Sequence, residues 1–524
     1  MQKFKFFAPS IAFLIVFLHP ILLSPLGGDD LPNSLMRGVL ELGYQTFWSR
    51  IAETISHWWV YEGRFFPIST LEGNLVFYLI TGVTAYKFFQ LGMVILALSL
   101  LVKFVSLKTQ RANFTLTLIL LGSLGFRSWY DPILMFNSLL PSTAVKVFLA
   151  LNCFKAFHHE DSALKRNAYL IFGAFLWTLA ILQYELIIGF SPLLITPVIM
   201  SHPRQNQEGL LSYTRLLLKK GRLEILVGFL TLAYFCAYLF LRPKPQSPTY
   251  QASFHVEALF STYFKQLSGS IPGIAVFLPN EISKPHLIAV WLVLFPFVTF
   301  LVLRRPQLPL LSREARLSSL LIALVFIFIS PLTAAISPRW QNEVRFGYSY
   351  LSVFYQYLGF GLILAVMCDS FIKRKTVHRA FAKAFSITLL TFLLSISHAN
   401  LAQTTKTMRP TNAERSLIKD SLSDGALSEG LSIVVTASPV PVVSTAYDPN
   451  RFVNELFFSM HGGKHVMVFK TIEECAQLCA ENYLEFSIQY STDDHQGEAV
   501  SIFTEVVRGT ERITFPPEIA LVRG

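Results

Sequence analysis

The chain is short of charge. Only 15% of its 524 residues are Asp, Glu, Lys or Arg, where a soluble protein runs about 25%. Acids are scarcest, with 33 Asp plus Glu against 47 Phe. So few charges cannot cover the surface of several soluble domains, which puts most of the chain in a bilayer. Cysteine is also scarce, at five. Cys153, Cys236 and Cys368 fall in or beside apolar runs, where a small apolar residue is the plain reading. Cys475 and Cys479 stand four apart on an expected helix. That spacing suits a metal site only with further ligands and a disulfide poorly, so cysteine supplies no framework. Internal repeats and low-complexity tracts are lacking as well.

What is present is hydrophobic: 52% of residues, with mean hydropathy +0.48. The net charge of +11 would suit a nucleic-acid binder until the chain is divided near residue 398. Residues 1–398 carry 34 Lys/Arg and 17 Asp/Glu, a net +17, while residues 399–524 carry 10 and 16, a net −6. The basic excess belongs to the membrane part, and nucleic acid is excluded as a partner. Apolar runs predict eleven spans, near 6–24, 84–106, 112–126, 142–158, 167–184, 186–201, 223–241, 287–303, 317–336, 347–367 and 381–398. Residues 67–83 and 127–140 are interrupted and read as interfacial or re-entrant pieces. With the N-terminus inside, inner segments hold 22 Lys/Arg and outer loops before 398 hold 10, as the positive-inside rule requires. The first run lacks a small-x-small cleavage site and reads as a retained helix.

Beyond His398 the character changes. TNAERSLIKDSLSDG (411–425) has helical spacing and ends at glycine. Short β-rich runs follow at 431–438, 465–470, 485–491 and 499–507, with a helical segment at 471–483. The expected fold class is therefore mainly α: a polytopic transmembrane helical domain over 1–398, and a small soluble α/β domain over 399–524. The parity of spans makes that tail extracytoplasmic.

The same parity puts 11 of the 17 acids of the membrane part on the outer surface. Six lie in the first outer loop, 25–73, which is too long for a simple connector. Within it Leu35, Val39, Leu42, Phe47, Ile51 and Ile55 recur at helical spacing, and Trp58 and Trp59 supply an interfacial anchor. An amphipathic helix on the outer membrane surface would hold Asp29 and Asp30 where the first span emerges. Adjacent carboxylates there have three readings. Asp30 caps the helix, one Asp is a general base acting on a hydroxyl acceptor, or the pair ligates a divalent metal, Mg or Mn, together with Asp131. Asp131 and Glu185 also lie on the outer side, and an acid between two apolar runs usually faces a polar cavity. Arg64, Arg127, Arg339 and Arg345 add cations of the type that recognises phosphate. Acids and arginines on one face suit an anionic lipid headgroup.

This layout resembles a GT-C-type polytopic glycosyltransferase. The features are a short inner N-terminus, an outward Asp-Asp after the first span, a long first outer loop and about eleven spans. WWVYEGRFFP (58–67) is similar to the W…GRF(P) stretch of bacterial members that glucosylate O-antigen. QYE (183–185) and RFGYSYLS (345–352) fit the same class. The resemblance implies an enzyme of the cytoplasmic (inner) membrane. It would take a sugar from a polyprenyl-phosphate carrier and transfer it to a glycan or lipid-linked acceptor on the outer face. Asp30 or Asp29 would be the base. Arg64, Arg127, Arg345 and Arg339 would meet the carrier phosphate, while Asp131, Glu185, Tyr130 and Glu62 would bind sugar or acceptor. A polysaccharide polymerase or ligase, and a transporter or flippase of a lipid-linked sugar, are the competing classes. The early acids of the first loop argue against the polymerase, and polar residues crowding the outer ends of spans argue against the transporter.

Overall fold

The computed structural model describes residues 7–24, 26, 30, 33, 40, 46–80, 82–105, 110–127, 131–136, 139–203, 209–246, 255–279, 282–303, 311–373, 379–423, 432–437, 468–469, 482–493, 497–508, 511–514 and 518–522. Asp29, Tyr130, Glu281, Cys475, Cys479 and most of the expected helices at 35–45 and 471–483 lie outside them. All eleven expected apolar segments are helical over most of their length. Six helices are long and apolar enough to cross a membrane: Val83–Val105, Leu140–His159, Arg222–Leu241, Arg313–Ala335, Val353–Ser370 and Ala384–Thr407. Ala12–Leu23, Phe114–Ser123, Glu185–Ser201 and Lys284–Phe300 are apolar but shorter. Ala163–Gln183 has 21 residues, about 31 Å of helix. The protein is a multi-pass membrane protein, mainly helical, with a small β-rich C-terminal part.

By contacts the chain divides into two compact units, Met1–Pro20, Glu53–Glu72 and Gln90–Thr404 in one, and Ile21–Ala52, Gly73–Phe89 and Thr405–Gly524 in the other. The first is the helical bulk. Its helices Leu140–His159 and Ala163–Gln183 form a hairpin, where Gly173 lets Phe154 and Cys153 approach within 3.3 Å of a Cβ position. The Val353–Lys373 helix packs on two neighbours through Gly359 and Gly361. A Cβ at Gly359 would stand 2.9 Å from Ile327 Cγ1 and 3.0 Å from the Ala323 carbonyl oxygen, and one at Gly361 would stand 2.9 Å from Leu120 Cδ2. Two residues subtend about 200° on a helix, so the glycines serve opposite faces. Lipid supplies no hydrophobic drive between helices, so close backbone approach at small residues does the work. Phe190, Phe326 and Tyr355 fill the space between, with ring centroids 4.9–5.3 Å apart.

Contacts between connecting segments agree with the alternation of spans. Arg64 pairs with Glu185, Tyr238 with Gly63, and the Gln246 amide with the Tyr61 carbonyl, all segments expected on one side. His158 pairs with Glu224 at 2.6 Å, and Asp369 accepts from the Leu311 amide at 3.0 Å and meets Arg316 at 3.2 Å, all expected on the other.

In the second unit Leu26, Phe77 and Tyr86 form a buried cluster, with the two rings stacked 4.3 Å apart. The helix Phe47–Glu62 starts with a capping exchange, in which the Ser49 amide donates to Thr46 Oγ1 at 3.2 Å and the Thr46 amide to Ser49 Oγ at 2.9 Å. The sheet comprises β1 (Ser432–Ala437), β2 (Val468–Phe469), β3 (Asn482–Asp493), β4 (Gly497–Arg508), β5 (Glu511–Thr514) and β6 (Glu518–Val522). Its order is β2-β1-β3-β4-β5, with β6 also on β4. β1 is parallel to β2 and β3, and the rest is antiparallel. The last expected span and the expected helix at 411–425 are one continuous helix, Arg379–Ser423.

Gly359→Leu is expected to lower stability by about 1–3 kcal/mol through overpacking, whereas Gly92→Ala, with nothing within 4 Å of its Cβ position, is expected to leave it unchanged or higher. Thermal unfolding of both variants in detergent measures the contrast.

Candidate functional site

The segment 63–67 turns between two helices. Gly63 has φ +59°, the left-handed conformation that glycine adopts freely beyond a helix C-terminus. Its amide donates to the Trp59 carbonyl at 3.1 Å, and that of Arg64 to Trp58 at 2.9 Å. A Cβ at residue 63 would lie 2.6 Å from the Pro243 carbonyl oxygen and 2.8 Å from Arg242 Nε. Tyr238 donates its hydroxyl to the Gly63 carbonyl at 2.7 Å. Pro67 then opens the helix Pro67–Leu79, where its missing N–H costs nothing.

This turn aims Arg64 at Glu185. Nε donates to Oε1 at 3.0 Å and Nη2 to Oε2 at 2.8 Å, with the side chains 20% and 21% exposed. The guanidinium lies 4.7 Å from the Phe66 ring centroid and 5.9 Å from that of Trp58. A two-pronged, ring-stacked guanidinium that stays reachable is the geometry that recognises carboxylate and phosphate. Arg242 also acts on Glu185 electrostatically. Arg242 was not among the expected site residues.

Glu185 stands at a break in the backbone. Ala163–Gln183 ends at Tyr184, which is extended at φ −153° and ψ 118°. From Glu185 to Ile195 the chain is a 3-10 helix with Pro192 inside it. Runs of 3-10 helix this long are uncommon and mark a hinge or a strained site. Gln183 is buried and donates to Ser142 Oγ at 3.3 Å and Glu72 Oε2 at 3.4 Å. Lys146 completes the group, 2.5 Å from Glu72 Oε2 and 2.8 Å from Ser142 Oγ, while Ser142 donates to Glu72 Oε1. Lys146 and Glu72 are 15% and 20% exposed. Lys146, Ser142 and Gln183 were not among the expected site residues. The signal for Lys146 was a charge inside an apolar run, which in a membrane points to a polar partner.

Arg127 and Asp131 form a second, buried centre. Arg127 Nε donates to Tyr357 Oη at 3.0 Å, Nη1 to the Gly347 carbonyl at 2.5 Å, and Nη2 to the Gly269 carbonyl. Asp131 accepts from the backbone amides of Arg127 at 2.8 Å, Ile133 at 2.8 Å and Leu134 at 2.6 Å. Burial pushes the Asp131 carboxyl up to about 6, against the opposing pull of these amides and of the Arg127 charge. Arg127 also lines a recess with Ser123, Gly125, Gly273, Tyr357 and Asn400.

The other expected residues lie as follows. Asp30 is fully buried, and so is Lys87; they are the two fully buried charges of the second unit among residues whose burial is described. Glu62 ends the helix Phe47–Glu62. Arg339 pairs with Glu343 at 2.8 Å and stacks 4.7 Å from the Trp340 centroid. Arg345 is exposed and begins the turn closed by the Tyr348 amide on its carbonyl at 3.0 Å. That turn holds Gly347, whose carbonyl binds Arg127. Among the described residues no group of three or more His, Cys, Asp or Glu could hold a metal. Both Asp131 oxygens accept backbone amides.

The chain is thus a polytopic helical membrane protein in which two partly exposed ion pairs, Arg64–Glu185 and Lys146–Glu72, adjoin the Gln183–Glu185 break. No protein-family model matches it, and no curated protein does. Among solved structures it is similar to ArnT from Cupriavidus metallidurans bound to undecaprenyl phosphate, at 13% identity over 92% of each chain and a TM-score of 0.41. It is also similar to ArnT from the same organism in the apo state, at 12% identity over 94% of each chain and a TM-score of 0.44.

The raised pKa of Asp131 sets a pH dependence. The fold binds this proton more tightly than the unfolded chain does. The stability it contributes is full below pH 3.8 and is lost as pH rises through about 6. Asp131→Asn is expected to remove that component from the pH dependence of Tm between about pH 4 and 6, while lowering Tm overall because an amide group meets backbone donors.

Proposed function

We propose that the protein is a membrane glycosyltransferase that takes a sugar from a polyprenyl-phosphate carrier and transfers it to a hydroxyl acceptor on the outer face of the cytoplasmic membrane. The observation that carries this reading is the Arg64–Glu185 pair, a two-pronged guanidinium held by the GRFFP turn (63–67) and meeting the QYE break (183–185). Both stretches are those through which the sequence resembles GT-C enzymes. Arg64 neutralises the carrier phosphate as it leaves, with Arg242 as the second cation. Arg345, exposed on its turn, is a further phosphate contact, and Arg339 supports that segment.

Asp30 is the base, with Asp29 beside it. Its full burial fits a carboxylate kept from water until an acceptor hydroxyl arrives. Arg127 and Asp131 act differently. Their donors and acceptors go to Gly269, Gly347 and neighbouring amides, so they shape the loops around the site. The N-terminus is cytoplasmic. The membrane domain runs to about 398, and the acidic tail from 399 onward is extracytoplasmic.

Purified protein in nanodiscs, supplied with polyprenyl-phosphate-linked hexoses and an envelope-lipid acceptor fraction, tests the reading. Asp30→Asn is expected to lower transfer about a hundredfold or more without loss of folded protein, and Arg64→Ala to weaken use of the donor. Full turnover in Asp30→Asn removes the base assignment. Movement of the lipid-linked sugar across the bilayer with no transfer overturns the enzyme reading in favour of a flippase.

A further inference from the structure

A lysine and a glutamate within apolar helices of a membrane protein are costly unless they pair or face a polar cavity. Glu72, from the helix Pro67–Leu79, and Lys146, from Leu140–His159, do pair. A purely structural pair would be sealed, and this one keeps 15–20% of its surface. Its hydrogen-bond inventory is also incomplete. An ammonium has three donors, and the described partners of Lys146 are two, Glu72 and Ser142. A carboxylate has about four acceptor sites, of which Glu72 uses three, for Ser142, Lys146 and Gln183. One donor and one acceptor therefore remain side by side, the arrangement that a pair of neighbouring hydroxyls on one ring satisfies.

The location adds a second, independent constraint. Gln183, which binds this cluster, and Glu185, which binds Arg64, sit two residues apart through the extended Tyr184. Two extended residues span about 7 Å, comparable to the reach from an anomeric phosphate to the far hydroxyls of a pyranose ring. We propose that Glu72, Lys146 and Gln183 form a subsite for the hydroxyls of a sugar ring whose phosphate lies at Arg64. The Gln183–Glu185 break sets the distance between the two. This rests on the donor reading given above and assigns the end of the donor that it left open. While no phosphate is bound, the Glu185 carboxylate occupies the Arg64 fork and keeps it oriented.

The test compares two lipids on the full-length protein in nanodiscs: bare polyprenyl phosphate, and polyprenyl phosphate carrying glucose, galactose or mannose. Wild type is expected to bind one glycosylated carrier more tightly than the bare one. Glu72→Gln and Lys146→Met are each expected to erase that margin, a loss of about tenfold or more for a charge-assisted hydrogen bond, with affinity for the bare carrier unchanged. Lys146→Arg keeps part of the margin. Equal losses for bare and glycosylated carriers, or no loss, overturn the subsite while leaving the donor reading in place. Wild type that binds neither kind of carrier, with Arg64→Ala indifferent, overturns the donor reading and the subsite together.

Discussion

A guanidinium buried among backbone carbonyls holds one end of the helical unit together. Arg127 is 4% exposed, and it joins the loop after Gln110–Ser123 to Gly269, to Gly347 and to Tyr357 on the Val353–Lys373 helix. Three chain segments far apart in sequence, around residues 127, 269 and 347–357, meet on one side chain. Arginine suits this because its donors leave in a fixed planar fork and it never loses its charge. The charge must still be balanced, and Asp131, four residues on, supplies the balance while accepting the Arg127 amide at 2.8 Å. Removing either partner would leave the other charge buried and unopposed, which costs more than the pair contributes. The positions of the 269 and 347 turns, and of Arg345 two residues before Gly347, therefore follow from this contact.

A second constraint acts at Tyr184. A membrane helix that ends inside the protein must give its last carbonyls other partners. Here the chain extends for one residue and resumes as 3-10 helix through Ile195. The break frees Gln183 and Glu185 from helical geometry and points both toward polar groups brought by other segments, Glu72 with Ser142 on one hand and Arg64 on the other. Backbone irregularity in a bilayer persists only where it is covered by protein or lines a polar space. Tyr184 is 4% exposed and Gln183 fully buried, so protein covers the break, while Glu185 keeps part of its side chain exposed.

Much of the helical layout was legible from the lengths of apolar runs, and the strands at 432–437, 482–493 and 497–508 from alternation and β-branched content. The 3-10 stretch was not. Over eleven nearly uniform apolar residues, periods of 3.0 and 3.6 give the same pattern. The helix continues through 398 although hydrophobicity ends there, because polar residues such as Asn400 and Thr404 are buried inside the protein, and a hydropathy pattern does not mark such a continuation. Among the expected site residues, Arg64 and Glu185 are brought together by the fold. Their pairing across 121 positions could not be read from either motif. The partners of Arg127 are carbonyl oxygens, which every residue has, so sequence offers no trace of them.

These cases share a physical reason. In water a charge can be satisfied by solvent, and its neighbours in sequence say little about its purpose. In a bilayer every charge needs a protein partner, so the useful question is which of its hydrogen-bonding sites the partners use up. Arg127 spends its fork on three acceptors and Asp131 both its oxygens on amides, which makes them supports. Arg64 and Glu185 meet through a reachable two-pronged contact, and Lys146 and Glu72 retain capacity beyond their mutual contact. On the proposed donor reading, two partly exposed ion pairs reach Glu185 and Gln183 on either side of a single extended tyrosine, which is why the donor is assigned there and the more deeply buried Arg127 centre is assigned support.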